Sequence, residues 1–193
     1  MATHAPAWPL ETERLRLRPF VETDLDAMHE IYADAGVVRY LYVAQRSRAE
    51  VAELLVRKAA NTRLEAEGDA LSAAVVRRDD GRLVGDLSLF WVSASHRQGE
   101  IGFVMHPAWH GRGYATEAAR PLLAFAFETL GLHRVVGRTE ARNAGSARVL
   151  EKLGMRREAH LVENEWVKDE WQSELGYAIL AREWEARRVA MEI

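Results

Sequence analysis

Two glycines stand directly ahead of a helix-forming run in Ile101-Gly-Phe-Val-Met-His-Pro-Ala-Trp-His-Gly-Arg-Gly-Tyr-Ala-Thr-Glu-Ala118. A strand-like stretch ends at Pro107, Gly111 and Gly113 follow, and an apolar-periodic helix begins near Tyr114. Such a loop aims unpaired backbone N–H groups and the positive end of a helix at one spot, and two positions without side chains let an anion come close. A pyrophosphate suits it. A tight turn with no ligand is the alternative reading of two glycines before a helix. Spacing excludes two other phosphate motifs: the Walker pattern needs a Lys-Ser/Thr pair after its last Gly, and the dinucleotide fingerprint needs a small residue where Thr116 stands.

The segment His110-Gly111-Arg112-Gly113-Tyr114-Ala115 resembles the acyl-CoA loop of the GNAT N-acetyltransferases, Gln/Arg-x-x-Gly-x-Gly/Ala. The following Thr116-Glu117-Ala118-Ala119 resembles the RimJ/RimL-like branch of that superfamily, and Asn143-Ala-Gly-Ser-Ala-Arg-Val-Leu-Glu-Lys-Leu-Gly-Met155 is similar to the branch's second signature. Glu13 to Arg18 and Gly176 to Leu180 sit where the branch has its first and last strands. The likeness spans residues 11–185, which predicts one N-acetyltransferase domain with residues 1–10 and 186–193 as terminal extensions.

The resemblance implies an α/β fold: a mixed, mostly antiparallel central sheet flanked by helices, whose fourth and fifth strands splay around the pantetheine arm of acetyl-CoA. It implies that backbone groups at Phe103 and Met105 pair with that arm as an added strand. Residues His110, Gly111, Arg112, Gly113, Tyr114, Ala115 and Thr116 would form the cofactor loop, and a backbone N–H near Met105 would meet the oxyanion. His110 departs from the family's Gln or Arg, so phosphate support would come from the backbone between Gly111 and Ala115.

The implied activity is direct transfer of acetyl from acetyl-CoA to a primary amine. Amines with pKa values of about 8 to 10.4 are largely protonated at pH 7, so a base helps. Glu100, opening the strand that leads to the acyl site, is the candidate, against an ordinary solvated carboxylate. His106 and His110 are expected to support structure or cofactor first. Many GNAT enzymes carry Tyr where Leu150 stands, so the resemblance assigns the proton for the departing sulfur to Ser146 and a bond to the pantetheine amides to Asn143. Both residues equally suit a plain helix start.

Arg112, Arg142, Arg148 and Lys152 either reach phosphates or form a solvated face. Glu163, Glu165, Asp169, Glu170 and Glu174 either line an acidic mouth for a cationic amine or make a hairpin soluble. The acceptors compatible with this are a peptide N-terminus, a polyamine or another small amine. The rival reading is a catalytically silent acyl-CoA-binding module.

These residues need elements to hold them. Leu15 to Arg18 alternates as a strand, a helix follows from Thr23 to Asp34 behind a Thr or Asp cap and stops at Gly36, and Ser47 to Glu67 forms a longer helix with Ser47 and Glu50 as a capping box. Leu71 to Arg77 and Arg82 to Val92 form a hairpin about Asp79-Asp80-Gly81, and Gln98 to Met105 is a third antiparallel strand. A helix from Tyr114 to Leu130, bent at Pro121 and burying Leu122, Leu123, Phe125, Ala126 and Leu130, then leads to a strand from Arg134 to Glu140. A helix over Ala144 to Leu153 and strands near Met155 to His160 and Glu174 to Leu180 complete the chain.

The chain has 193 residues, 48% of them hydrophobic, with 26 Lys+Arg against 29 Asp+Glu, a balance suited to one globular domain. A net charge of −3 argues against broad nucleic-acid binding, and the absence of cysteine excludes thiolate chemistry and thiolate metal ligands. No apolar run reaches the roughly 18–20 residues of a membrane span, and Met1 to Leu10 lacks signal-peptide features, so a cytoplasmic location is expected. A homodimer is compatible with all of this.

Overall fold

The computed structural model describes residues 3–192. Eight strands form one sheet: β1 (Leu10–Glu11), β2 (Leu15–Arg18), β3 (Ala70–Arg77), β4 (Leu83–Ser93), β5 (Gln98–Met105), β6 (Arg134–Glu140), β7 (Arg156–Val167) and β8 (Glu170–Leu180). Their order is β1-β2-β3-β4-β5-β6-β8-β7. Every neighbouring pair is antiparallel except β5 and β6. The helices are α1 (Leu25–Ala33), α2 (Ala35–Val38), α3 (Arg48–Ala60), α4 (Tyr114–Ala124), α5 (Ala144–Lys152) and α6 (Ala181–Glu192). The expected mixed α/β architecture is therefore observed.

The single parallel contact is short. Gln98, Gly99 and Glu100 pair with Arg134, Val135 and Val136, and no pairing follows. Beyond this point β5 continues along β4 as far as Met105, while β6 continues along β8 as far as Glu140. The strands splay as expected, although the two-residue β1 ahead of β2 makes them the fifth and sixth in chain order.

Two cores clamp the sheet. Helix α4 packs Ala118, Leu122 and Leu123 on one face against Leu87, Ile101 and Val135. On the other face, α1 and α3 bury Met28, Ile31, Val51 and Leu55 with Phe20 and Val76. Strand β3 is covered on both sides, which is why Leu71 to Val76 is a continuous small and apolar run, not an alternating one.

Polar bonds fasten α1 and α3 to the sheet. Asp86 of β4, almost fully buried, accepts the Tyr32 hydroxyl at 2.6 Å and the Lys58 ammonium at 2.9 Å. Burial, reinforced by the Asp86 charge, raises the Tyr32 pKa well above its ordinary value, so the hydroxyl stays a donor.

Several boundaries differ from expectation. Helix α3 has its Ser47–Glu50 capping box but ends at Ala60, not Glu67, because Leu64 turns into the core and its backbone exchanges hydrogen bonds with His4. Gly36 does not end helical structure: the Asp34 side chain accepts the Val37 N–H at 2.8 Å and starts the short α2. Asp24 makes no side-chain cap on α1, and instead grips the Arg18 guanidinium with both oxygens at 2.7 and 2.8 Å. Pro121 lies inside α4, and the departure from regular geometry comes one turn later, where Leu130 N–H reaches the Phe125 carbonyl in a π-helical turn. The last hairpin is much longer than its apolar residues suggested, since β7 is an exposed edge strand with little burial to write into sequence.

Replacing Lys58 by Met leaves the Asp86 carboxylate buried without its cation. Losing one partner of a buried pair costs about 3–5 kcal/mol. At about 2–4 °C per kcal/mol for a chain of this size, calorimetry of Lys58→Met is expected to give a thermal midpoint lower by roughly 6–20 °C. A midpoint within about 2 °C of the parent contradicts the role given to this pair.

Candidate functional site

A cavity of about 440 Å³ opens where β5 and β6 part. Phe103, Val104 and Met105 of β5 line one side, and Asn143, Gly145, Ser146 and Val149 of α5 line another. His110, Gly111, Gly113, Tyr114, Ala115 and Thr116 close one end. Val37, Tyr40 and Leu41 at and beyond the end of α2 form a wall that the sequence did not reveal. Of the residues expected to contact cofactor, all but Arg112 meet in this one space.

Both loop glycines hold left-handed backbone, with φ of +75° at Gly111 and +80° at Gly113, the N-cap of α4. Residues with a Cβ rarely adopt it. A Cβ at Gly111 would meet nothing within 4 Å, so that residue is required for its backbone angle and open approach, not for packing. Among the described residues, none of the backbone N–H groups from Gly111 to Thr116 has a hydrogen-bond partner. Six consecutive donors at a helix start make an anion cradle. Arg148 and Lys152 of α5 line the same cavity and take part in no ion pair among the described residues. They add positive charge.

Arg112 is placed differently. Its guanidinium lies 4.8 Å over the Trp109 ring, and Arg77 lies 4.2 Å over the same ring. Arg142 is also committed elsewhere, bonded to Glu140 at 2.8 Å and Glu170 at 2.6 Å. Neither guanidinium belongs to the cavity lining.

The histidines brace the loop. His110 Nε2 lies 2.9 Å from the Met105 carbonyl, tying the loop back to the end of β5. His106 Nδ1 accepts the Ala108 N–H, which leaves the proton on Nε2, and that atom donates to Glu30 at 3.1 Å. Both side chains are held by these bonds, and His110 also lines the cavity.

Asn143 caps α5 by accepting the Ser146 N–H at 3.1 Å. The Ser146 hydroxyl borders the cavity and has no protein partner among the described residues. Leu150 turns the other way, fully buried over Gly137 of β6, where an added Cβ would come within 2.5 Å of the leucine. That close approach holds α5 on the sheet. Glu100 sits in the last residue pair before the strands part, bonded by both oxygens to Arg138 at 3.2 Å, and it does not line the cavity.

The acidic hairpin is heterogeneous. Glu174 is buried and accepts the Tyr42 hydroxyl at 2.6 Å. Burial and then this bond raise the Tyr42 pKa, so it remains a donor. Glu170 is paired with Arg142, Glu163 and Asp169 are exposed at left-handed backbone positions, and Glu165 is half-buried. At the tip, Lys168 donates to the carbonyls of Val38, Arg39 at 3.3 Å and Leu41 at 2.8 Å. This latch joins the last hairpin to the cavity wall.

Residues 14–156 match the acetyltransferase (GNAT) domain family model. The chain belongs to the GNAT acetyltransferase family. This GNAT chain is 34% identical over 176 residues to the uncharacterized N-acetyltransferase YnaD of Bacillus subtilis, a match covering 91% of this chain and 98% of that one. A crystal structure of a GNAT-family acetyltransferase from Bacillus anthracis superposes with a TM-score of 0.81 at 30% identity, covering 90% of this chain and 99% of that one. The spermidine N-acetyltransferase of Vibrio cholerae, solved in complex with CoA and spermine, shares the fold with a TM-score of 0.75 at 22% identity, covering 90% and 99%. Among the described residues of this GNAT acetyltransferase, no helix is long and apolar enough to cross a membrane.

The latch has a measurable consequence. Charge-assisted bonds from Lys168 hold the carbonyls that follow α2. In Lys168→Met, hydrogen exchange of the amides between Val37 and Leu41 is expected to accelerate about tenfold or more while the β3–β4 amides keep their protection. Unchanged exchange in that segment contradicts the latch.

Proposed function

We propose that this GNAT acetyltransferase transfers acetyl from acetyl-CoA to the primary amine of a cationic acceptor, by direct attack and without an acyl-enzyme. The observation that carries this reading is the meeting, in one cavity, of the unpartnered N–H groups of Gly111 and of Gly113 to Thr116 with the unpaired edge of β5. An anion cradle beside an open strand edge fits a molecule with a diphosphate at one end and an extended amide-bearing arm at the other.

Acetyl-CoA supplies the activated acyl group. Backbone groups at Phe103 and Met105 hold its arm, the amides from Gly111 to Thr116 hold the phosphates, and Arg148 and Lys152 add charge at the rim. A backbone N–H near Met105 polarises the acyl carbonyl. The Ser146 hydroxyl, open to the cavity, gives a proton to the departing sulfur. On the amine side, Glu100 takes up the ammonium proton, directly or through water, from its place at the fork of the strands.

The acceptor's charge is inferred from the surroundings of that fork. Glu100, Glu165 and Glu174 outnumber Arg138 there, and Tyr42 presents its hydroxyl to Glu174. Such a surface favours cations. A polyamine and a peptide N-terminus both satisfy it, and the CoA and spermine bound by the Vibrio cholerae protein belong to this chemistry.

Release of free CoA thiol, measured with a panel of cationic, neutral and anionic amines at two ionic strengths, tests the proposal. Cationic amines are expected to react best, with kcat/KM falling as salt screens the acidic side. A best acceptor that is anionic, or no thiol release with any amine, overturns it. Ser146→Ala and Glu100→Gln are each expected to lower kcat by about tenfold or more with acetyl-CoA affinity little changed. Weakened binding at normal kcat would instead make them cofactor contacts.

A further inference from the structure

The turn between β1 and β2 is docked on the start of α4 by a set of contacts that the acyl-transfer chemistry does not require. Arg14 is at their centre. Its Nε and one terminal nitrogen bond a single oxygen of Glu117 at 2.7 and 2.6 Å, and its other terminal nitrogen bonds the Arg112 carbonyl at 3.1 Å. The face of the guanidinium lies 4.6 Å over the Tyr114 ring. The second Glu117 oxygen accepts the Arg14 N–H at 2.8 Å and the Thr12 hydroxyl at 2.6 Å. Thr12 in turn closes the turn onto Leu15 by accepting its N–H at 3.0 Å.

This arrangement surrounds Gly113. One side chain touches residues 112, 114 and 117, on both sides of the left-handed N-cap, and an added Cβ at Gly113 would lie 3.6 Å from Arg14 itself. A flexible loop whose amides must converge on one anion gains from being tied to a rigid sheet. The carboxylate of Glu117 also sits one turn into the helix whose start forms the cradle, where an uncompensated negative charge would repel a phosphate. Burial opposes ionisation of Glu117, but the bonds from Thr12 and Arg14 prevail and lower its pKa, so it carries full charge at neutral pH.

We infer that Arg14 is a positioning residue for the phosphate end of the acyl donor: its guanidinium fixes the Arg112–Tyr114 backbone and neutralises Glu117 beside the cradle. The inference rests on the acyl-CoA reading above and extends it to a residue of the β1–β2 turn. Its planar fork, bonding a carboxylate and a carbonyl at once, is a task for Arg and not for Lys.

Steady-state kinetics with two acyl donors test it. Acetyl-CoA carries the diphosphate, and acetyl-pantetheine does not. In Arg14→Ala the ratio of kcat/KM for acetyl-CoA over acetyl-pantetheine is expected to fall about tenfold, through KM for acetyl-CoA and not through kcat. Adding Glu117→Gln is expected to restore part of that ratio, because the uncompensated charge is removed. Arg14→Lys, which keeps the charge but not the fork, is expected to lie between parent and alanine variant, and it serves in place of Arg14→Ala should that variant fail to fold. A ratio unchanged in both Arg14 variants, or a double variant no better than Arg14→Ala, overturns the inference. Calorimetry of the parent keeps the two levels apart: tight CoA binding with an unchanged ratio removes only the Arg14 role, whereas absence of CoA binding removes the acyl-CoA reading as well.

Discussion

The parting of β5 from β6 after three residue pairs is the constraint on which the rest of the structure depends. Paired strands satisfy each other's N–H and C=O groups, so a strand that leaves its neighbour in mid-sheet exposes groups that need another partner. Each strand keeps its outer neighbour: β5 follows β4, and β6 follows β8. The opening is therefore rigid on both sides. Helices α4 and α5 pack on the same face of the sheet and bring the loop ahead of α4 and the first turn of α5 to the opening. Leu150 pressed onto Gly137 keeps the second of these in place.

Charge is distributed with similar economy. Around the opening, Arg138 is shared by Glu100 and Glu174, and Arg142 by Glu140 and Glu170. At the cradle the Glu117 carboxylate is covered by Arg14, and Arg148 and Lys152 remain without ion pairs among the described residues. The result is a cavity with a positive end at the loop, while the carboxylates of Glu100 and Glu174 gather outside its lining at the fork. In the function proposed above, the phosphate end of the donor would be drawn to the loop and a cationic acceptor to the fork.

Features that depend on local backbone chemistry were legible in the sequence. Gly111 and Gly113 occupy left-handed positions ahead of α4, Gly81 does so in the β3–β4 turn, and Ser47 with Glu50 caps α3. Strand β6 has the limits expected, Arg134 to Glu140. Features made by distant contacts were not legible. The end of α3 is decided by the bonding of Leu64 to His4, and the wall beyond α2 by a lysine some 130 residues later. Strand β7 carries mostly exposed residues, so its length left no periodic trace. Within the site, Ser146 and the loop residues came together as their motifs suggested. The Arg112 side chain did not, because its guanidinium stacks on the Trp109 ring and does not join the lining.

The central claim is that two backbone segments, the open edge of β5 and the amides from Gly111 to Thr116, together receive the acyl donor. Backbone amide NMR during a titration with CoA measures this most directly. The account predicts that the largest shift changes fall on Ile101 to Met105 and on Gly111 to Thr116, and that both groups follow one saturation curve. Saturable CoA binding that leaves either segment unmoved would contradict it.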